Sequence, residues 1–244
     1  MSNESENTRQ TISNIRKMLS QAEKGGVQNT IQNCVTVLQN DPVLADSIRL
    51  NLLSERIDIV KPMGWQRSGP TLTDTDMMYI LRRMEKYGLY SEKRVSAAIR
   101  IVANENHYHP IRDYLNDLKW DGTERISHAL HRFLGAAEDE LTAEALKIFL
   151  LGAIKRVFHP GCKFEMMLCL VGGQGAGKSS FFRLLAIKDE WFSDDLRRMD
   201  DDNVFRKLQG HWIMEMSEMI ATANAKSIEE IKSFLSKQKE TYKI

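Results

Sequence analysis

The fold class that the 244 residues predict is an α/β domain built around a phosphate-binding loop and preceded by a mostly helical module. Three observations predict it. The apolar run 166–171 (MMLCLV) leads straight into Gly172-Gly173-Gln174-Gly175-Ala176-Gly177-Lys178-Ser179-Ser180, and residues 180–185 (SFFRLL) read as a helix after it. A second short apolar run, residues 212–214 (WIM), follows Gly210 and ends at Glu215. Upstream, between Thr30 and Val102, apolar residues recur mostly at helical spacing.

Composition sets the outer bounds. Hydrophobic residues make up 42% and charged residues 27%, enough apolar material for one large domain or two small ones. The formal net charge is +1, so nucleic acid could be held only by a local patch. Cys34, Cys162 and Cys169 show neither paired nor metal-type spacing, which fits a reducing cytoplasm. No apolar run approaches the ~18 residues a membrane span needs. The start, MSNESENTRQ, has no apolar signal region. The expectation is a cytoplasmic protein with no membrane partner.

Residues 1–28 are polar, with Gly25-Gly26 near their end, and read as a flexible or weakly helical arm. Residues 29–122 read as the helical module. Val35, Val37, Leu38, Val43, Leu44, Ile48, Leu50, Leu52 and Leu53 follow mostly helical spacing, whereas Arg56-Ile57-Asp58-Ile59-Val60 alternates and is β-branched, as a strand would. Pro62, Gly64, Gly69 and Pro70 mark a loop. Thr73-Asp74-Thr75-Asp76 supplies capping residues for a helix with Met77, Ile80, Leu81 and Met84 on one face. Ser91 opens another, with Val95, Ala98, Ile99 and Val102. The pattern suits a winged-helix-like module or a helical collar equally. Pro110 starts a short helix that stops by Trp120-Asp121-Gly122, where the domain boundary is expected. Residues 123–244 would form the core domain. Helices are expected over 125–135 and 142–157, the second stopped by His159-Pro160-Gly161.

The glycine loop has a physical logic. Backbone N–H groups converge on phosphates only through turns that side chains would obstruct, and the following helix start adds partial positive charge. Lys178 would reach the β- and γ-phosphates of a nucleotide, and the Ser179 hydroxyl would ligate Mg²⁺. A plain flexible turn would leave the Gly-Lys-Ser at the helix start unexplained. Such a site also wants an acid at the end of a neighbouring strand. Glu215 suits the Mg²⁺ shell and Glu218 the attacking water, or the reverse; surface carboxylates capping the next helix are the plainer alternative. The histidines at 107, 109, 128 and 131 lack a companion Cys or carboxylate and read as structural. Arg82-Arg83 and Lys93-Arg94 could meet phosphates, although solvated helix faces more often look like this. Asp200-Asp201-Asp202 suits a helix start.

Several segments resemble one family. They are His109-Pro110-Ile111-Arg112-Asp113-Tyr114-Leu115, Leu118-Lys119-Trp120-Asp121-Gly122, and Arg156-Val157-Phe158-His159-Pro160-Gly161-Cys162-Lys163. After the loop come Glu190-Trp191-Phe192-Ser193-Asp194, Leu208-Gln209-Gly210-His211-Trp212 and Ile231-Lys232-Ser233-Phe234-Leu235-Ser236. From about Pro110 onward the chain is similar to the virulence-associated protein E family of phage and mobile-element P-loop ATPases. The resemblance implies an ASCE-type, AAA+-like P-loop NTPase core related to superfamily 3 and primase-associated helicases. It implies ATP and Mg²⁺ as cofactors, DNA as the polymer acted on in replication, and a homo-oligomeric ring. It makes Gly172, Gly177, Lys178 and Ser179 the Walker A set, Glu215 the Walker B acid and Glu218 the second acid.

Family members continue with a sensor strand and an arginine pair, for which this chain offers no convincing counterpart before Ile244. The expectation is a core incomplete at its C-terminal side. Two other readings stay open: a nucleotide-binding remnant without turnover, and a P-loop small-molecule kinase.

Overall fold

The computed structural model describes residues 2–23, 25–196, 207–216, 229 and 231–233, in two compact units, Met1–Pro110 and Ile111–Ile244. Helices dominate both, with one two-stranded sheet in each among the described residues. No described helix is long and apolar enough to cross a membrane.

The first unit opens with helix α1 (Ser2–Met18), where the sequence suggests a flexible or weakly helical arm. The difference comes from three side chains. Ile12 and Ile15 share one helical face, and they join the core with Leu19 just past the helix end, Ile15 and Leu19 being buried. Asn33 then ties down the segment that follows, giving its Nδ2–H to Ser20 O and Gln28 O and accepting from Ser20 N. So sparse a stripe is lost in the average composition. Helix α2 (Ile31–Asn40) is capped by Thr30 and buries Cys34, Val35, Val37 and Leu38. Burial raises the Cys34 thiol pKa, against a smaller opposing pull from Arg94.

The run that reads as helical up to Leu53 is broken by an antiparallel hairpin, β1 (Ile48–Asn51) with β2 (Arg56–Ile59), in register Ile48↔Ile59 to Asn51↔Arg56. A carboxylate network fixes the break. Asp41 is fully buried; its Oδ1 takes the N–H of Val43 at 2.9 Å, and its two oxygens also take Arg83 Nε–H and Tyr87 O–H. These contacts turn the chain out of α2 so that β1 can pair. The strand expected at residues 56–60 is β2.

Helix α3 (Asp74–Met84) carries a capping box between Thr73 and Asp76. A 3-10 turn and Gly88, at φ +82°, lead to α4 (Glu92–Glu105), capped by Ser91. Val95, Ala98, Ile99, Val102 and Ala103 of α4 are buried, and the helix packs on α2 and β1.

The second unit begins earlier than the Asp121-Gly122 turn, so α5 (Pro110–Asp117) falls almost wholly within it. Helices α6 (Ile126–Leu134) and α7 (Glu140–Phe158) pack together. Arg112 Nε donates to Val157 O at 2.8 Å, fastening α5 to the end of α7. The expected strand at 166–171 is not one: these residues pair with no other strand among the described residues, and Met166 and Val171 are exposed. Apolar content marks a run as strand-like, but only a ladder partner makes it a strand. Helix α8 (Lys178–Leu185) follows the glycine loop. Strand β3 (Phe192–Ser193) pairs in parallel with β4 (Ile213–Met214). The Asp200-Asp201-Asp202 helix start lies outside the described residues.

Candidate functional site

The glycine-rich segment leads from the partly exposed, unpaired run 166–171 into α8. Gly175 and Gly177 both have φ +80°, a backbone region that side-chain-bearing residues rarely enter, and Gly177 forms the N-cap of α8. Around Gly172, Gly173 and Gly175 there is open space where a side chain would project. Gly173, Gln174, Ala176 and Ser180 are exposed beside them. The loop therefore presents bare backbone to solvent next to a helix N-terminus, the arrangement that receives anions.

Lys178, the first residue of α8, turns its Nζ back over the loop and donates to Gly172 O at 2.9 Å and Gly173 O at 2.7 Å. Ser179 stands one position on. Its Oγ donates to Glu215 Oε1 at 2.7 Å, across 36 residues of sequence.

Backbone contacts hold Glu215 in place. Its N–H donates to Ser193 O at 2.8 Å, and Trp212 N–H donates to Trp191 O at 2.7 Å, so the β3–β4 pairing extends past both ends of β4. Trp212 Nε1–H reaches Ala153 O of α7 at 3.2 Å, and its ring meets Trp191 edge-on at 6.3 Å. Phe181 and Phe182 of α8 are buried, Phe182 edge-on to Phe149 of α7. Helix α8 and the start of β4 are thus anchored to the same helix.

Beside this pair lies a mostly apolar cleft of about 710 Å³, lined by Phe149, Met167, Leu170 and Ile213 and reached by Lys178 and Glu215. Its size is that of a small-molecule site.

Glu218 lies outside the described residues. The histidines hold protein partners: His107 Nδ1 bonds Asn104 O, His128 Nδ1 bonds Glu138 and His131 Nδ1 bonds Ala136 O. No group of metal-binding side chains of three or more occurs among the described residues. Sequence reasoning missed the part played by Ser193, whose carbonyl positions Glu215. Only two residues of β3 pair, too few for any alternation to show.

No curated protein matches the chain. A family model described as a virulence-associated protein E-like domain matches residues 115–244, more than half of the chain and the whole of the loop, α8 and β4.

Proposed function

Because the chain belongs to the virulence-associated protein E-like family, we propose that it is an ATP-binding P-loop protein whose nucleotide site lies at the start of α8. In this reading, ATP hydrolysis drives helicase-like work on DNA in the replication of a phage or mobile element, with subunits arranged in a ring. One observation carries the nucleotide reading. The Ser179 hydroxyl and Glu215 carboxylate stand 2.7 Å apart at the mouth of an unobstructed glycine loop.

The residues present fit both the nucleotide and its ion. Two oxygen donors side by side suit Mg²⁺, which binds one or two protein oxygens and keeps several waters. The bare loop backbone suits a polyphosphate chain. When bound, Mg²⁺ supplies charge neutralisation on the β- and γ-phosphates. The chain's own residues do the rest. Loop N–H groups and the α8 N-terminus orient the phosphates. The Lys178 ammonium exchanges the Gly172 and Gly173 carbonyls for phosphate oxygens. Glu215, held by the Ser193 carbonyl through its own N–H, keeps its carboxylate beside Ser179. Glu215 or Glu218 would orient the attacking water.

The test is titration of the full chain with MgATP, followed by measurement of phosphate release with and without single-stranded DNA. Lys178→Ala is expected to lower MgATP affinity by at least about ten-fold, the loss of one charge-assisted contact. Unchanged affinity would overturn the site. Binding with no phosphate release under any DNA condition would leave the site standing and remove the motor. ADP formation that requires a small-molecule acceptor, with the phosphoryl group ending on that acceptor and not as free phosphate, would make the protein a kinase.

A further inference from the structure

Helix α4 buries one face and leaves the other with an unusual set of side chains. Lys93, Ala97, Arg100 and Asn104 stand at i, i+4, i+7 and i+11, so they form one row opposite the buried Val95, Ala98, Ile99 and Val102. Lys93, Arg100 and Asn104 are exposed, and neither Lys93 nor Arg100 forms an ion pair among the described residues. Glu105, at the end of the helix, accepts a hydrogen bond from Gln39 of α2 at 3.0 Å.

Positive charge is concentrated along this stretch of the sequence although the whole chain is close to neutral. Between residues 82 and 100 stand Arg82, Arg83, Lys86, Lys93, Arg94 and Arg100 against the two acids Glu85 and Glu92. Of the six, Arg83 is engaged with Asp41.

We propose that α4 is a duplex-DNA reading helix, its Lys93–Ala97–Arg100–Asn104 row entering the major groove. The helix has 14 residues, about 21 Å of length, and the B-form major groove admits an α-helix. Each residue type in the row has a matching base or backbone feature. Arginine pairs two-pronged with guanine, asparagine with adenine, alanine meets the thymine methyl, and lysine meets phosphate. No aromatic residue lies on α4, so the row offers no stacking surface of the kind that single strands use. Packing against α2 and β1 makes the helix a rigid presenter. This inference rests on the reading that the protein works on DNA and adds a sequence-reading element remote in the chain from the nucleotide loop.

The experiment measures binding of the full chain to a labelled mixed-sequence duplex of about 20 base pairs, two helical turns. The same-length single strand serves as comparison, each over a range of salt. Tight duplex binding is expected, with the Lys93→Ala/Arg100→Ala double variant at least about ten-fold weaker. Its log–log salt slope should be shallower by about one to two units. Asn104→Ala is expected to keep that slope while broadening the set of duplexes enriched from a random pool. All three positions are exposed, so an unchanged thermal melt accompanies each variant. Wild-type affinity in the double variant would overturn the proposal, as would preference for the single strand or failure of the wild type to bind duplex. Lys178→Ala separates the two readings: it should retain duplex affinity whatever it does to MgATP.

Discussion

Asp76 shows how one side chain can set the stability of a whole unit. Its carboxylate is nearly buried and accepts from Trp65 Nε1 at 2.7 Å, Arg67 Nε at 2.8 Å and Thr73 N at 2.9 Å. Burial alone would raise its pKa. The hydrogen bonds from Arg67, Trp65 and Thr73 outweigh burial and hold the carboxyl well below the usual carboxylate range. A depressed folded-state pKa contributes stability above the unfolded value, near 4, and loses it as pH falls through the folded value. The urea midpoint of the first unit should therefore fall below about pH 4, and Asp76→Asn should flatten that fall. Asp76→Ala is expected to cost about 3 kcal/mol at pH 7, because it strands Arg67 and Trp65 and opens the α3 cap. A loss under ~1 kcal/mol would show that water replaces the carboxylate.

At the scale of elements, α7 poses a question of sign. Gly152 sits in its interior, where alanine is intrinsically favoured by about 1 kcal/mol. Yet a Cβ there would overlap the ring of Phe164. Arg156 Nη2 holds the Phe164 carbonyl at 2.9 Å, so the backbone is fixed there and the ring can yield only by turning about its own side-chain bonds. Forcing an added methyl against a packed ring costs typically about 1–3 kcal/mol, which at its middle exceeds the propensity gain. Gly152→Ala should destabilise by about 1 kcal/mol in chemical denaturation, and stabilisation would mean the ring moves freely. Elements with local signals were the legible ones. Thr73, Ser91 and Pro110 announce α3, α4 and α5 where they begin. Elements fixed from a distance were not. Strand β1 depends on Asp41 meeting Arg83 and Tyr87, α1 on Ile12 and Ile15 reaching a core made elsewhere, and β3 on a partner in β4. The candidate site was legible in the Gly172–Ser179 spacing, but its closure against Glu215 needs Ser193 and Trp191, which no local pattern reveals.

Across the whole molecule, the two units carry separate tryptophan reporters. Trp65 stacks on Tyr79 in the first, with centroids 4.9 Å apart, whereas Trp120, Trp191 and Trp212 belong to the second. If the nucleotide site lies in the second unit alone, saturating MgATP should delay the transition reported by the second unit's tryptophans in a Trp65→Phe variant and leave the hydrogen-exchange protection of the first unit in place. A hundred-fold excess over Kd stabilises by about 2.7 kcal/mol, enough to resolve the two. Equal shifts in both would mean that the units melt as one. The resting loop also has a chemical temperament. A lysine that already holds two carbonyls is a poor lure for stray anions, since a lone phosphate would merely replace one set of acceptors with another. On the proposed reading, a longer chain of phosphates, spanning loop backbone and helix start together, would tip that exchange. In the proposed reading Lys178 would act as a threshold, weakly drawn to free phosphate and responsive to the polyphosphate it is proposed to receive.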